Sequence, residues 1–285
     1  MNLDALPVSE ILSIMNEEDS RTVRAVHEAL PDIEKAVKAC IHTLKNGGRM
    51  IYVGAGTSGR IGVMDAVECM PTFSTEDEVI ACMAGGSKAF VKAQEGAEDN
   101  AELGADDLRN LHLNSNDIVI GIAASGRTPY VIGALDYAKS MKAASVSVSC
   151  NRDAAMSLHA DIAIECDAGP EILTGSTRLK AGTCQKMILN MLSTVSMIGI
   201  GKVYGNLMVD MKPTNKKLEE RAVHIVMEAT GCDLETAVKA IAESGQRCKI
   251  AIVMVLLGID SAEAEARLNK ADGFVRNTLP GKENN

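Results

Sequence analysis

Residues 50–60 read as a strand that feeds a helix through a glycine-rich turn: Ile51-Tyr-Val-Gly-Ala-Gly-Thr-Ser-Gly-Arg60. A short apolar run of β-formers stops at Gly54, and a helical pattern takes over from Ile61 to Val67. Such a junction collects free backbone N–H groups and the positive end of a helix dipole in one place, which suits a phosphate. Gly56, Thr57, Ser58 and Arg60 are the candidate ligands here.

The design recurs. Ile118-Val-Ile-Gly-Ile122 runs into Ser125, Gly126, Arg127 and Thr128, and Ile172-Leu-Thr-Gly leads to Ser176, Thr177 and Arg178, with Lys180 just beyond. An arginine in a first helical turn opposes the dipole by roughly 0.3–1 kcal/mol. Each one alone reads equally as an ion-paired or snorkelling side chain. Three such junctions in one stretch predict loops converging on one polar, anionic ligand.

Alternation of short strands with helices supports that arrangement. The expected strands are 50–54, 79–83, 118–122, 145–149 and 162–165. The expected helices between and after them are 59–67, 86–103, 129–141, 153–158 and 177–199. This predicts an α/β fold, a three-layer αβα sandwich with a parallel sheet, whose ligands bind at the carboxyl ends of the strands. Residues 1–48 read as three helices: Val8 to Asn16, a second capped by Ser20, and a third with Pro31 in its first turn. Residues 49–212 form the central domain. Residues 213–285 read as all-helical, with Gly231, Gly245, Gly258 and Gly273 as helix stops, Ser261 as a cap, and a polar, disordered end from Pro280 to Asn285. The helix over 179–198 is apolar around most of its circumference past Lys186, which predicts burial, at a subunit interface for instance.

Composition narrows the partners. A net charge of −9 over 285 residues disfavours nucleic acid and anionic membranes, so an anion must be bound by local geometry. The N-terminus has no basic, apolar leader, and the longest apolar run, 250–257, is too short to span a bilayer. The eight cysteines show no CxxC spacing, as expected of a reduced cytoplasmic protein. The five histidines show no ligand spacing, so neither a metal nor another cofactor is expected. With aromatic residues at 2%, a sugar would be held by hydrogen bonds more than by ring stacking.

Two carboxylate positions invite attention. Glu68 ends the helix after the first glycine loop, where position alone suggests a solvated surface acid. Glu95 and Glu98 share a helix face at i, i+3, which alone suggests a charged solvated surface. Gly96 between them costs about 1 kcal/mol inside a helix and hints at a close approach.

Longer motifs carry a resemblance. The Ser58, Ser125 and Ser176 loops look like those of a sugar isomerase (SIS) domain. More narrowly, Gly54-Ala-Gly-Thr-Ser-Gly-Arg-Ile-Gly-Val-Met-Asp-Ala-Val-Glu-Cys-Met-Pro-Thr-Phe73 resembles the signature of the N-acetylmuramic acid 6-phosphate etherase family. So do Glu95-Gly-Ala-Glu-Asp99, Gly121-Ile-Ala-Ala-Ser-Gly-Arg-Thr-Pro-Tyr130, Thr174-Gly-Ser-Thr-Arg-Leu-Lys-Ala-Gly-Thr183 and Gly205-Asn-Leu-Met-Val-Asp210. The similarity covers nearly the whole chain. It departs at Val67 and Met70, where the family has Ser and Pro, and in a short N-terminus.

The resemblance implies that Glu68 and Glu98 are the two catalytic acids; their surroundings in the sequence assign Glu68 as proton donor and Glu98, in a more polar stretch, as base. It implies cleavage of the lactyl ether of a phosphorylated amino sugar by elimination and water addition, in cell-wall recycling, and a homodimer. Met70-Pro71 would shield Glu68 and keep it protonated. Two other readings compete. A non-catalytic phosphosugar regulator of the same fold would not need both acids. A dinucleotide-binding protein would match Gly54-x-Gly56-x-x-Gly59, but it expects an acid after the second strand, where Ala84-Gly85-Gly86 stands instead.

Overall fold

Five short runs of β-branched and small residues form the sheet: β1 (Met50–Gly54), β2 (Val79–Met83), β3 (Ile118–Ile122), β4 (Ala144–Ser149) and β5 (Ile162–Glu165). The computed structural model describes residues 2–92, 94, 96–211 and 216–280. Glu95 and the tail past Pro280 lie outside them. The strands are all parallel, in the order β2-β1-β3-β4-β5. Every residue of β1 and β3 is buried, as central strands covered on both faces must be. Gly54 pairs with Met83 on one side and Ile122 on the other, so β1, β2 and β3 end level. The chain leaves β1 in one direction for β2 and returns on its other side as β3. The crevice between the β1 and β3 exits is the topological switch point where such sheets bind ligands.

Residues Met1–Ala66 and Glu78–Ser193 form one compact unit, and Val67–Asp77 and Thr194–Asn285 a second. In the first, α1 (Val8–Glu28) and α2 (Leu30–Lys45) precede the sheet. The break expected near Ser20 is absent. Its hydroxyl bonds back to the Glu17 carbonyl, so the serine is absorbed inside the helix instead of capping a new one. Pro31 does sit in the first turn of α2. The first helix after the sheet begins, α3 (Gly56–Phe73), outruns its expected span at both ends.

The single helix expected over 86–103 is three pieces: α4 (Gly86–Val91), a 3-10 turn Ala97–Asp99, and α5 (Ala101–Asn110). Gly96 is left-handed at φ 77°, and the Asn100 side chain caps α5 by accepting from the Leu103 N–H. Helix α4 already ends at Val91, with Lys92 extended, and the left-handed Gly96 precedes the 3-10 turn, so Glu98 sits in a turn and not on a helix face. Next come α6 (Pro129–Ser140), a 3-10 stretch Ala155–His159 in place of the helix expected at 153–158, and α7 (Lys180–Gly199). Within the first unit α7 is buried at Ala181, Cys184, Gln185, Ile188, Leu189 and Leu192.

In the second unit α10 (Cys248–Leu257) is apolar and buried from Ile250 to Met254. Around it pack α8 (Lys216–Thr230), α9 (Leu234–Glu243), α11 (Ser261–Lys270) and the short α12 (Val275–Thr278). The four expected glycine stops all have positive φ. Ser261 is not the cap. Asp260 accepts from the Glu263 N–H, as Asp233 does from Thr236 at the start of α9, because a carboxylate one residue earlier is already in place. No helix among the described residues is long and apolar enough to cross a membrane.

Candidate active site

The β1–α3 junction is tight because two backbones touch. A Cβ on Gly59 would lie 2.6 Å from the Gly54 carbonyl oxygen, so only glycine closes the turn. Gly56 takes φ 54° and opens α3. Ser58 is 7% exposed, and its hydroxyl donates to Gln185 Oε1 on α7 at 3.0 Å. Arg60 turns elsewhere: its guanidinium donates to the carbonyls of Ala89 and Phe90, both at 2.8 Å, at the end of α4. Free carbonyls at a helix end attract a cation, which explains an arginine in a first turn without a bound anion.

The β3–α6 loop is held from below. Gly126 takes φ 68° and packs against Ala154, and its carbonyl accepts from the Met156 N–H. That supporting segment hangs on Glu165, whose carboxylate accepts from the Asp153 and Ala154 N–H groups at 2.9 Å and from the Ser157 hydroxyl at 2.6 Å. Burial pushes the Glu165 carboxyl up, but these bonds overcome it and hold it below the ordinary range. Thr128 is the N-cap of α6, and its side chain makes no cap hydrogen bond.

The β5–α7 loop differs. Helix α7 begins at Lys180, and its first N–H groups, of Lys180 and Ala181, each donate to the Glu171 carboxylate at 3.0 Å. This helix end already holds an anion belonging to the chain. Lys180, expected to bind phosphate, is 1% exposed and donates to Glu18 at 2.6 Å and to the Ala168 carbonyl at 3.1 Å.

Glu98 lies just past the left-handed Gly96. The turn Ala97–Asp99 leads into α5, which is locked to α6 by the Tyr130 hydroxyl donating to Asp107 at 2.6 Å. Helix α6 in turn starts from the β3 loop. The three loops and Glu98 meet around a cavity of about 790 Å³. Its lining includes Gly56, Thr57, Ser58, Ser125, Arg127, Thr128, Thr177, Glu98 and Asp99. Hydroxyls from three loops, the open ends of α3 and α6, and one guanidinium can hold a phosphorylated polyol there. A carboxylate at the rim can move a proton.

Among the expected ligands, Arg60, Gly126, Ser176 and Lys180 are outside the lining. So is Glu68, which lies ten residues beyond Ser58 in α3, about three turns. The expected shielding is not found: Glu68 is exposed, and so is Met70 at 55%. Reading the sequence missed Glu171, Glu165 and Gln185. Only Glu171 carried a signal, an acid in a Gly-Pro-Glu turn ahead of a helix start.

Residues 32–139 match the family described as glucokinase regulatory protein N-terminal SIS domain, and residues 98–195 match the SIS domain. N-acetylmuramic acid 6-phosphate etherase 2 of Lactiplantibacillus plantarum is 59% identical over 280 residues, covering 98% of this chain and 95% of its own length. The N-acetylmuramic acid 6-phosphate etherase of Exiguobacterium sp. is 55% identical over the same shares of the two chains. Among solved structures, a phosphoheptose isomerase from Francisella tularensis aligns with 66% of this chain and 98% of its own, at TM-score 0.52 and 19% identity. That likeness speaks for the fold alone.

Proposed function

The chain belongs to the N-acetylmuramic acid 6-phosphate etherase family, and on that premise we propose that it cleaves the lactyl ether of N-acetylmuramate 6-phosphate to N-acetylglucosamine 6-phosphate and D-lactate. Such an enzyme is a lyase of amino sugar and cell-wall recycling. The observation that carries the reading is the cavity itself, where Glu98 stands among the hydroxyls of Thr57, Ser58, Ser125 and Thr128. The phosphate sits on the β1–α3 and β3–α6 junctions, because the α7 junction is filled by Glu171.

With the sugar ring open, the C1 aldehyde makes the C2 proton acidic. Glu98 removes it, a second acid protonates the C3 oxygen as lactate leaves, and water adds to the unsaturated aldehyde. Each proton transfer contributes about 10²–10⁴-fold. The family resemblance gives the second role to Glu68. In this reading Glu68 acts from a second copy of the chain in a homodimer, facing the Glu98 of the cavity.

The test is incubation with N-acetylmuramate 6-phosphate and assay of both products; a folded protein that releases no D-lactate overturns the reading. In D₂O, Glu68→Gln is expected to exchange the C2 proton without releasing lactate, and Glu98→Gln to do neither. Mixing the two inactive variants restores about a quarter of the wild-type rate if each site draws on both copies, since half the dimers then carry one intact site. No restoration would place both acids in one copy.

A further inference from the structure

Two features of the α3–α7 contact stand unexplained. Ser58 lines the cavity, yet its hydroxyl proton points away from it, to Gln185 Oε1 at 3.0 Å. A hydroxyl has one proton, so in this state Ser58 offers the cavity only lone pairs. A phosphate is an acceptor and needs the proton. Gln185 itself is fully buried, and its Nε2 has no hydrogen-bond partner among the described residues. A buried, unmade donor is costly and calls for a reason.

We propose that Gln185 is a positioning residue of this site: a half-turn of its side-chain amide hands Nε2–H to Ser58 and releases the Ser58 proton to the phosphate. The proposal rests on the phosphosugar reading above. One motion frees the Ser58 proton and pairs Nε2; the group left without a partner becomes Oε1, an acceptor, where a donor stood. Nε2 gains an acceptor in Ser58 Oγ, and the hydroxyl that receives one hydrogen bond gives a stronger one in turn. The two orientations of the amide have the same shape, so the packing of α7 around it need not change. The backbones are held for it. Gly182 brings α7 against the first turn of α3, where a Cβ would lie 3.6 Å from Thr57 Cγ2. Further along, Asp65 accepts from Tyr52, Asn190 and Ser193 and ties the two helices together. Gln185 is thus the movable rung of an otherwise fixed polar seam.

The experiment measures the affinity of N-acetylglucosamine 6-phosphate by calorimetry for the wild type, Gln185→Glu, Ser58→Ala and the double variant, with thermal melts as a check on folding. An ionised glutamate only accepts, so it keeps the Ser58 proton. Burial raises such a carboxyl, so ionisation is read from a pH series, and at its alkaline end the Gln185→Glu change weakens binding by about tenfold. In the Ser58→Ala background the same change adds nothing. At acid pH the protonated carboxyl donates as the amide does, and the affinity relative to wild type at that pH recovers. Gln185→Met is the second variant, should the glutamate disturb folding. It weakens binding about threefold, again only while Ser58 is present. Equal weakening in both backgrounds would mean a field effect of the new charge and would overturn the relay, as would unchanged affinity. A folded wild type that binds no phosphosugar would instead remove the reading beneath it.

Discussion

The junctions at 54–60 and 171–181 look alike in sequence: a glycine-rich turn, a serine or threonine pair, a basic residue, then a helix. In the structure Thr177 of the second also lines the cavity, but the two helix ends are used differently. At the first, the helix end is open, and Thr57 and Ser58 reach the cavity. At the second, the Glu171 carboxylate fills the helix end and Lys180 is consumed by Glu18. A helix N-terminus is always attractive to an anion. Whether it is a binding site depends on whether the chain has already supplied the anion.

The largest effect sets the carboxylate of the cavity against the carboxylate of the closed junction. Glu98→Gln is expected to lower the rate of lactate release by about 10²–10⁴-fold with an unchanged melting temperature. Glu171→Gln is expected to do the reverse, lowering the melting temperature while kcat stays within about tenfold, because the cost falls on a helix end. A large loss of kcat in the Glu171 variant would erase the distinction.

Glycine changes probe the backbones of the two junctions. Gly59→Ala drives a Cβ against the Gly54 carbonyl and Met83 and should cost about 3 kcal/mol in chemical denaturation, with a raised KM. Gly175→Ala meets open space and only a φ of 89°, so about 1 kcal/mol is expected. Equal costs would mean that the first turn relaxes.

Lys180→Met tests whether that lysine serves the ligand or the fold. Removing it should cost about 2 kcal/mol, less than for a fully buried pair because Glu18 keeps 22% of its side chain exposed. KM should stay near wild type. The pH profile gives the sign. The hydrogen bond from Lys180 holds the Glu18 carboxyl below its ordinary value of 4.5. Its contribution is therefore present above that value and lost as pH falls towards the lowered one. The variant should flatten that acid limb in melting curves. A KM raised tenfold with no loss of stability would return Lys180 to the phosphate.

The smallest effect concerns Arg60. Arg60→Met frees the α4 carbonyls of Ala89 and Phe90 and should speed amide exchange in residues 86–91 with little change in KM. A large rise in KM with unchanged exchange would put the guanidinium on the ligand.

What the sequence determined alone was local. All five strands were legible, because a short run of β-branched residues between glycine turns has few other uses, and β4 merely begins one residue earlier than expected. The glycine stops of the C-terminal helices were legible for the same reason. The ring of Thr57, Ser58, Ser125, Thr128 and Thr177 followed from loops at parallel strand ends. Helix α4 stops at Val91 and Asn100 caps the next helix, which puts Glu98 in a turn; that cap, three residues from its donor, is a local signal the sequence reading missed. Tertiary structure decided the rest. Lys180 finds Glu18 162 residues away, and Ser58 finds Gln185 127 residues away. A charge or a hydroxyl is spent on whichever partner the fold brings within 3 Å, and no spacing along the chain records that partner.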